Sequence, residues 1–132
     1  MPSQSLVNME KKEKNIEELV VFSGQYEDCA DNARIVIPDG IEEIAENALR
    51  GFTYLSEVVL PRSLKRISAC AFAGCSNLKR IEMQFGLEEI LDEAFSSCSS
   101  LTSVNIPDSV KRIGEGCFET CASLSQIKLS ES

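Results

Sequence analysis

Apolar residues recur at fixed positions in this sequence, and the whole pattern repeats every 23 residues from residue 35 to residue 129. Within one repeat, Leu-x-x-Ile-x-Leu has the period-two spacing of a short strand with one buried face. Proline closes that strand in three repeats, because it cannot donate to a ladder. Ile-x-x-Ile predicts a second short strand, and Ala-Phe-x-x-Cys predicts one turn of α or 3₁₀ helix against the core. The best-kept columns are Leu55, Leu78, Leu101 and Leu124; Ile44, Ile67, Ile90 and Ile113; Phe72, Phe95 and Phe118; and Pro38, Pro61 and Pro107, with Gln84 in the remaining proline slot.

The repeat predicts a solenoid, because a single unit cannot bury its apolar face whereas stacked units bury one another's. We expect an α/β solenoid in which short parallel strands alternate with short helical or 3₁₀ turns. Its 132 residues suffice for one domain. We expect a frayed or disordered tail at 1–15, a degenerate N-terminal capping coil at 16–34, repeats at 35–129 and a short tail at 130–132. In the capping coil Val21 falls in the column of Ile44, and Cys29 in that of Phe52.

The pattern Leu-x-x-Ile-x-Ile-Pro-x-x-Val-x-x-Ile-x-x-x-Ala-Phe-x-x-Cys resembles the BspA-like leucine-rich repeats. The clearest copy is LTSVNIPDSVKRIGEGCFETC at residues 101–121, which departs in having Cys117 where the family usually has alanine. The first copy has Leu49 for phenylalanine and Phe52 for cysteine, both exchanges between apolar residues. The resemblance implies a right-handed coil, horseshoe or rod in shape, with protein-binding or adhesion roles and no catalytic residues. It also implies that such proteins are often found on cell surfaces.

Charge and composition argue against nucleic-acid and membrane partners. The net charge is −8 and the pI about 4.6, so a duplex or an anionic membrane would repel the chain. No apolar run reaches the length of a transmembrane helix, and the N-terminus lacks the apolar segment of a secretory signal peptide. These features predict a cytoplasmic protein, or a cell-surface protein if the natural chain is longer.

Outward side chains of the first strands form the surface on which a solenoid most readily binds a protein. Phe85 stands out, because its column otherwise holds Asp39, Arg62 and Asp108. Two interpretations of Phe85 stay open: an exposed aromatic anchor for a partner, or a ring folded back over Met83 or a neighbouring coil. The predicted partner-binding residues are Arg34, Val36, Glu57, Val59, Arg80, Glu82, Phe85, Ser103 and Asn105, with Gln126 and Lys128 in the same phase.

Two adjacent charge columns alternate in sign from repeat to repeat. Opposite charges across neighbouring strands stabilise a sheet, whereas like charges destabilise it. The favoured interpretation is a series of exposed ion pairs that helps to set the register, and the alternative is a mixed-charge recognition strip. The columns are Glu42, Lys65, Glu88 and Lys111, and Glu43, Arg66, Glu89 and Arg112.

The six cysteines predict buried thiols and no metal or cofactor site. The sequence has no histidine and no Cys-x-x-Cys pair, which argues against structural zinc. Cys75, Cys98 and Cys121 share a column with Phe52, so the position favours burial over sulfur chemistry, although a disulfide between neighbouring coils stays open on distance. Cys70 lies in a column of water-tolerant residues and is expected to be an exposed thiol with nothing basic beside it. With no nucleophile–base pair, a non-enzymatic scaffold is favoured.

The sequence stops directly after the fifth strand, SQIKL, which leaves an open strand edge at Leu124, Ile127 and Leu129. Three interpretations stay open: further repeats follow in the natural protein, the edge pairs with a second copy or a partner, or a short and partly polar edge is tolerated. The sequence therefore predicts a protein partner, without identifying it, and self-association through the C-terminal edge as one alternative.

Overall fold

The computed structural model describes residues 21–22 and 33–129, which form short parallel strands stacked in coils of about 23 residues. We number the coils 1 (33–54), 2 (55–77), 3 (78–100) and 4 (101–123), with the start of a fifth at 124–129. The strands are β1 (Val21–Phe22), β2 (Ala33–Val36), β3 (Glu43–Ile44), β4 (Leu55–Val59), β5 (Arg66–Ile67), β6 (Arg80–Glu82), β7 (Glu89–Ile90), β8 (Ser103–Ile106), β9 (Arg112–Ile113) and β10 (Gln126–Leu129).

The strands of successive coils pair in parallel on two sides of the stack, which confirms the predicted solenoid of 23-residue units with short parallel strands. On one side the order β1-β3-β5-β7-β9 runs without interruption through the described coils. We call the other side, formed by β2, β4, β6, β8 and β10, the first-strand face. Between the two sides lies the core, in which residues of one column stack on one another. Ile44, Ile67 and Ile90 are fully buried, and the rings of Phe72 and Phe95 stack 5.2 Å apart and nearly parallel.

The predicted helical turn is wrong for the described coils, where a series of turns replaces it. In coil 1 the backbone N–H groups of 48, 50 and 52 donate within the coil to the carbonyl three residues earlier, while those of Asn47, Leu49 and Gly51 donate to coil 2 at 2.7–3.1 Å. A helix would direct every one of these N–H groups along its own axis. Alternate donation leaves half of them for the neighbouring coil, so stacking replaces the helix.

Two columns of left-handed backbone make this alternation geometrically feasible. The first comprises Asn47, Cys70, Glu93 and Gly116, with φ between 57° and 65°, and the second Gly51, Gly74, Ser97 and Thr120, with φ between 60° and 77°. Four of these eight positions use glycine or asparagine, the residues that tolerate the left-handed region best. From the sequence, the residues in the column of Cys70 shared only a tolerance of water. In the structure they share a left-handed backbone conformation.

The capping coil keeps a shorter register than the repeats. Val21 pairs with Glu43 and Phe22 with Ile44, so the expected alignment of Val21 with Ile44 is wrong by one residue. A terminal coil contacts only one neighbour and need not keep the period of the repeats. The expected tails and most of the capping coil, including Cys29, lie outside the described residues.

A ladder of ion pairs crosses coils 1 to 4 beside the uninterrupted sheet. Arg66 lies 2.9 Å from Glu89 and 3.6 Å from Glu43, and Arg112 lies 3.4 Å from Glu89. The pKa of Arg66 is raised by its hydrogen bond to Glu89 and by the nearby Glu43 carboxylate. The pKa of Glu89 is lowered, mainly by the hydrogen bond from Arg66 and then by the charges of Arg66 and Arg112. The predicted ion pairs of this column are confirmed. The adjacent column of Glu42 forms no ion pair among the residues that the structure describes.

The first-strand face is interrupted between coils 3 and 4. β2-β4-β6 form one sheet and β8-β10 another, whereas on the opposite side β7 pairs with β9 in register. Two bonds that recur at other steps are missing here: the Met83 N–H does not reach the Asn105 carbonyl, and the Thr102 N–H does not reach the Lys79 carbonyl. The interruption follows the one repeat that lacks proline, at Gln84.

Behind this interruption the two coils approach each other unusually closely at Gly114. An added Cβ there would overlap Asp92 Oδ1 and lie 2.7 Å from the carbonyl carbon of Leu91. The Asp92 carboxylate also accepts a 3.0 Å bond from the Glu115 N–H. Coils 3 and 4 are thus in close contact at Gly114 and lack strand pairing at the first-strand face.

Amide hydrogen exchange tests the interruption. We expect the Met83 and Thr102 amides to exchange at least about tenfold faster than those of Leu60 and Lys79, after correction for intrinsic rates. Leu60 and Lys79 occupy the same two columns one coil earlier and donate at 3.2 and 2.9 Å. Equal protection of the two pairs, measured by two-dimensional NMR, would show that the face is continuous.

The variant Glu89→Gln tests the ladder, with Glu88→Gln as its control in the unpaired column. Because the folded pKa of Glu89 lies below its ordinary value of 4.5, the carboxylate contributes stability above that value and loses it as the pH falls through the folded pKa. We expect Glu89→Gln to lower the urea midpoint at pH 7, and the difference from wild type to shrink at low pH and at high salt. A loss as large for Glu88→Gln, or one independent of pH, would contradict this origin.

Candidate functional site

The first-strand face presents the side chains that alternate with the buried core positions of its strands. Ile35, Val58 and Val104 point inward and are buried, so their neighbours along each strand point outward. The structure places every predicted binding residue at this outward phase or just beyond a strand. Those exposed to solvent are Arg34, Val36, Arg80, Glu82, Phe85, Ser103 and Asn105, and those half-buried are Glu57 and Val59.

Phe85 is the most exposed large apolar side chain of the described residues, with 73% of its surface accessible. This exposure supports the anchor interpretation over a ring folded onto Met83. Its backbone is held in place, because the next residue, Gly86, donates its N–H to Ser109 Oγ at 2.8 Å. Gly86 adopts φ 118°, and an added Cβ would lie 3.2 Å from the Arg62 carbonyl oxygen. Glycine is required there by both conformation and space, so Phe85 projects from a fixed turn.

An open cleft of about 530 Å³ lies where the face is interrupted. Sequence reasoning missed this cleft, although the absent proline at Gln84 marked the repeat in which it lies. Polar and charged groups dominate its walls. The lining residues are Lys79, Arg80, Ile81, Glu82, Met83, Thr102, Ser103 and Asn105, of which Arg80, Glu82, Ser103 and Asn105 had been predicted as binding residues.

Charge alternation along the face ends at this cleft. Arg34 and Glu57 form an ion pair at 3.5 Å, and Arg80 follows Glu57 in the same column. The next position is Ser103, so the column offers Arg80 no carboxylate on its coil 4 side. Within the described part of the chain, Arg80 makes no ion pair.

The thiols of Cys75 and Cys98 are buried in the core and form hydrogen bonds to the backbone there. Cys75 donates its S–H to the carbonyl of Leu49 at 3.1 Å, and Cys98 donates to that of Phe72 at 3.2 Å. Burial raises the pKa of Cys75 to about 12 and raises that of Cys98 as well. Both are free cysteines, and their burial was predicted. Thiols so protonated are poor nucleophiles and poor metal ligands.

Cys70 differs from the expectation of an exposed thiol without a basic neighbour. It is half-buried and donates to Glu93 Oε1 at 3.7 Å. Arg50 lies near enough to lower its pKa, yet burial is the larger effect and the net shift is upward. The stacking of coils brings Arg50 close, which residue spacing did not reveal. Cys70 is therefore not an activated nucleophile.

Neither a metal site nor a membrane span is found in the described ranges. No three His, Cys, Asp or Glu side chains converge within residues 21–22 and 33–129 to hold an ion. Over the same residues no helix is long and apolar enough to cross a bilayer.

The C-terminal end of the described stack exposes core columns. Ile113 is 44% accessible, although its column partners Ile44, Ile67 and Ile90 are fully buried. Ile127 and Leu129 are 46% and 64% accessible. A cleft of about 380 Å³ lies beside them, lined also by Val110, Lys111 and Arg112.

Comparison with known proteins points to one family. Residues 21–132 match the BspA type leucine rich repeat region, described as six copies. No curated protein matches the chain. Solved structures provide the remaining likenesses.

Three bacterial structures illustrate the relationship. A leucine-rich repeat protein from T. pallidum is 37% identical, with a TM-score of 0.56, over 71% of this chain and 57% of its own. The pneumococcal vaccine antigen PcpA is 27% identical, with a TM-score of 0.67, over 77% of this chain and 29% of its own. A leucine-rich cell surface protein from Faecalibacterium prausnitzii is 30% identical, with a TM-score of 0.55, over 77% of this chain and 33% of its own.

This chain therefore spans little more than half of the first relative and about a third of the other two. It is related to bacterial cell-surface leucine-rich repeat proteins. The match over most of its length, together with the 23-residue β-coils, shows that the chain belongs to the BspA-type leucine-rich repeat family, whose members are generally non-catalytic scaffolds.

Proposed function

We propose that the chain is a non-catalytic module of a cell-surface leucine-rich repeat protein and that it binds a protein partner through the first-strand face. Two of its relatives support the surface setting: one is named a cell surface protein and another a vaccine antigen.

The observation that carries the binding role is the exposure of Phe85 on a fixed turn. Exposed aromatic side chains are costly to hydrate and are enriched among the residues that dominate interface energies. Val36, also exposed, and half-buried Val59 add apolar surface on the same face. The charged residues around them supply a polar rim, as interfaces commonly have.

Chemistry at the described residues favours binding over catalysis. Burial raises the pKa of each of Cys70, Cys75, Cys98, Cys117 and Cys121, so none is poised as a thiolate. The sequence has no histidine to act as a general base. The buried thiols and backbone groups of the stack bond to neighbouring coils, which is consistent with a scaffold role.

The C-terminal end face is the second candidate surface, favoured by the exposure of Ile113 and Leu129. This end face would be the binding surface if a partner, or a second copy of the chain, paired with the open strand edge of β10. The two surfaces lie on different parts of the stack, so paired variants separate them.

Partner capture with matched variants tests the proposal. The immobilised chain, Val59→Ala/Phe85→Ala and Ile113→Ala/Leu129→Ala are exposed in parallel to native cell-surface extract and analysed by quantitative mass spectrometry. We expect partners of the wild type to be retained about tenfold less by the Val59/Phe85 variant, because truncating an aromatic anchor removes a large share of the affinity, and to be retained undiminished by the end-face variant.

The opposite pattern would assign binding to the end face. Folding of both variants is checked by the dispersion of their NMR spectra. Antibody labelling of intact cells tests the surface setting separately: exclusion of the antibody until the cells are lysed would contradict it.

A further inference from the structure

The side chain of Arg80 lies where the alternation of charge that begins with Arg34 and Glu57 ends on the first-strand face. Glu57 lies within ion-pair distance of Arg34, and coil 4 presents Ser103 where a carboxylate would continue the series. In the complete ladder on the other side of the stack, Arg66 has a glutamate in each neighbouring coil. By comparison, Arg80 lacks an anion on its coil 4 side.

The same place is open to a ligand, because the sheet is interrupted there. Coil 3 contributes Lys79, Arg80 and Glu82 to the cleft, and coil 4 contributes Thr102 and Ser103. Two cations against one carboxylate give the walls a net positive charge in a chain whose total is −8. Hydroxyl groups on the coil 4 wall add donors for an anionic oxygen.

Backbone groups at the cleft are also available for pairing. The N–H of Thr102 and the carbonyl of Lys79 lack the bond that joins the Lys79 N–H to Ser56 at 2.9 Å one coil earlier. Likewise, the Met83 N–H and the Asn105 carbonyl lack the bond that joins Leu60 to Glu82 at 3.2 Å. These groups can form hydrogen bonds with polar groups of a ligand that lies over the cleft.

We propose that an acidic segment of the protein partner lies over the cleft between β6 and β8, with one of its carboxylate side chains bound between Arg80 and the coil 4 hydroxyls. The inference rests on the proposed function, since it assigns a chemistry to the partner of this face. Guanidinium groups bind carboxylates with two parallel hydrogen bonds. A singly charged carboxylate fits better than a phosphate dianion, because Glu82 lies on the same wall as Arg80.

The proposal is tested by NMR titration of the labelled chain with two five-residue peptides, acetyl-Thr-Val-Glu-Val-Thr-amide and the same peptide with glutamine at the centre. We expect the glutamate peptide to bind about tenfold more tightly, since a charge-assisted bond replaces a neutral one. The largest amide shifts are expected at 79–83 and 102–105. Equal affinity of the two peptides, or shifts centred elsewhere, would overturn the proposal.

Matched variants identify the cation. Arg80→Gln is expected to reduce binding of the glutamate peptide to the level of the glutamine peptide, whereas Lys65→Gln is expected to leave it unchanged, because Lys65 lies in the unpaired charge column on the other side of the stack. An equal loss in both variants would show a general effect of charge and would overturn the site.

Ser103→Glu supplies the missing carboxylate from the chain itself. It is expected to pair with Arg80, to lower peptide binding about tenfold and to raise the protection of the Thr102 amide, while Ser103→Gln is not. Unchanged peptide affinity in Ser103→Glu would contradict the assigned geometry. Tighter binding of a phosphoserine peptide than of the glutamate peptide would contradict the proposed ligand class.

The outcome is separable from that of the proposed function. If the Val59/Phe85 variant loses its partner while the two peptides bind equally, the face binds a protein but the acidic-segment inference fails. If the glutamate peptide binds selectively and the Val59/Phe85 variant retains the partner, the acidic-segment site at the cleft is supported and the anchor role of Phe85 is contradicted.

Discussion

Hydrogen bonds between coils are the interaction on which the rest of this structure depends. In the turns, every second N–H group leaves its own coil and bonds to the next, as Leu49 does to Ala71 at 2.7 Å and Phe72 to Ala94 at 2.8 Å. A buried N–H without a partner costs about twice what a satisfied one contributes. A single coil cannot satisfy these groups, so stacking is a condition of folding for each repeat.

Side-chain columns hold the stack in the register that the backbone bonds require. The Phe72 and Phe95 rings lie nearly parallel, and each thiol of the cysteine column donates to a carbonyl of the preceding coil. The alternating charges of Glu43, Arg66 and Glu89 act in the same direction at the surface. A slip of one residue would place the apolar columns in water, so the burial of these columns favours one alignment.

The features that point to function are departures from this regularity. Phe85 replaces a charged residue, Gln84 replaces proline, and the ladder of the first-strand face is interrupted in the same region. The opposite side of coils 3 and 4 stays paired, helped by the absence of a side chain at Gly114. A solenoid tolerates such a local change, because each coil contacts only its neighbours and the remaining steps are unaffected.

The sequence by itself determined the period, the two strands per coil, the buried columns and the ion-pair column, because each follows from residue type repeated at a fixed spacing. It also identified the outward residues of the first-strand face, since inward and outward positions alternate along a strand. It did not predict the turns correctly: Ala-Phe-x-x-Cys fits a helical turn locally, and only the neighbouring coil, by accepting alternate N–H groups, excludes the helix.

Tertiary structure alone decided where the face opens and which charge is left unpaired. Gln84 marks an irregular repeat, but the loss of pairing between β6 and β8 depends on how coil 4 sits against coil 3, including the close approach at Gly114. The nearness of Arg50 to Cys70 likewise arises from stacking. A repeated residue pattern is the same at every step of the stack, whereas the distance between two particular coils depends on all the contacts between them and so cannot be predicted from any single residue.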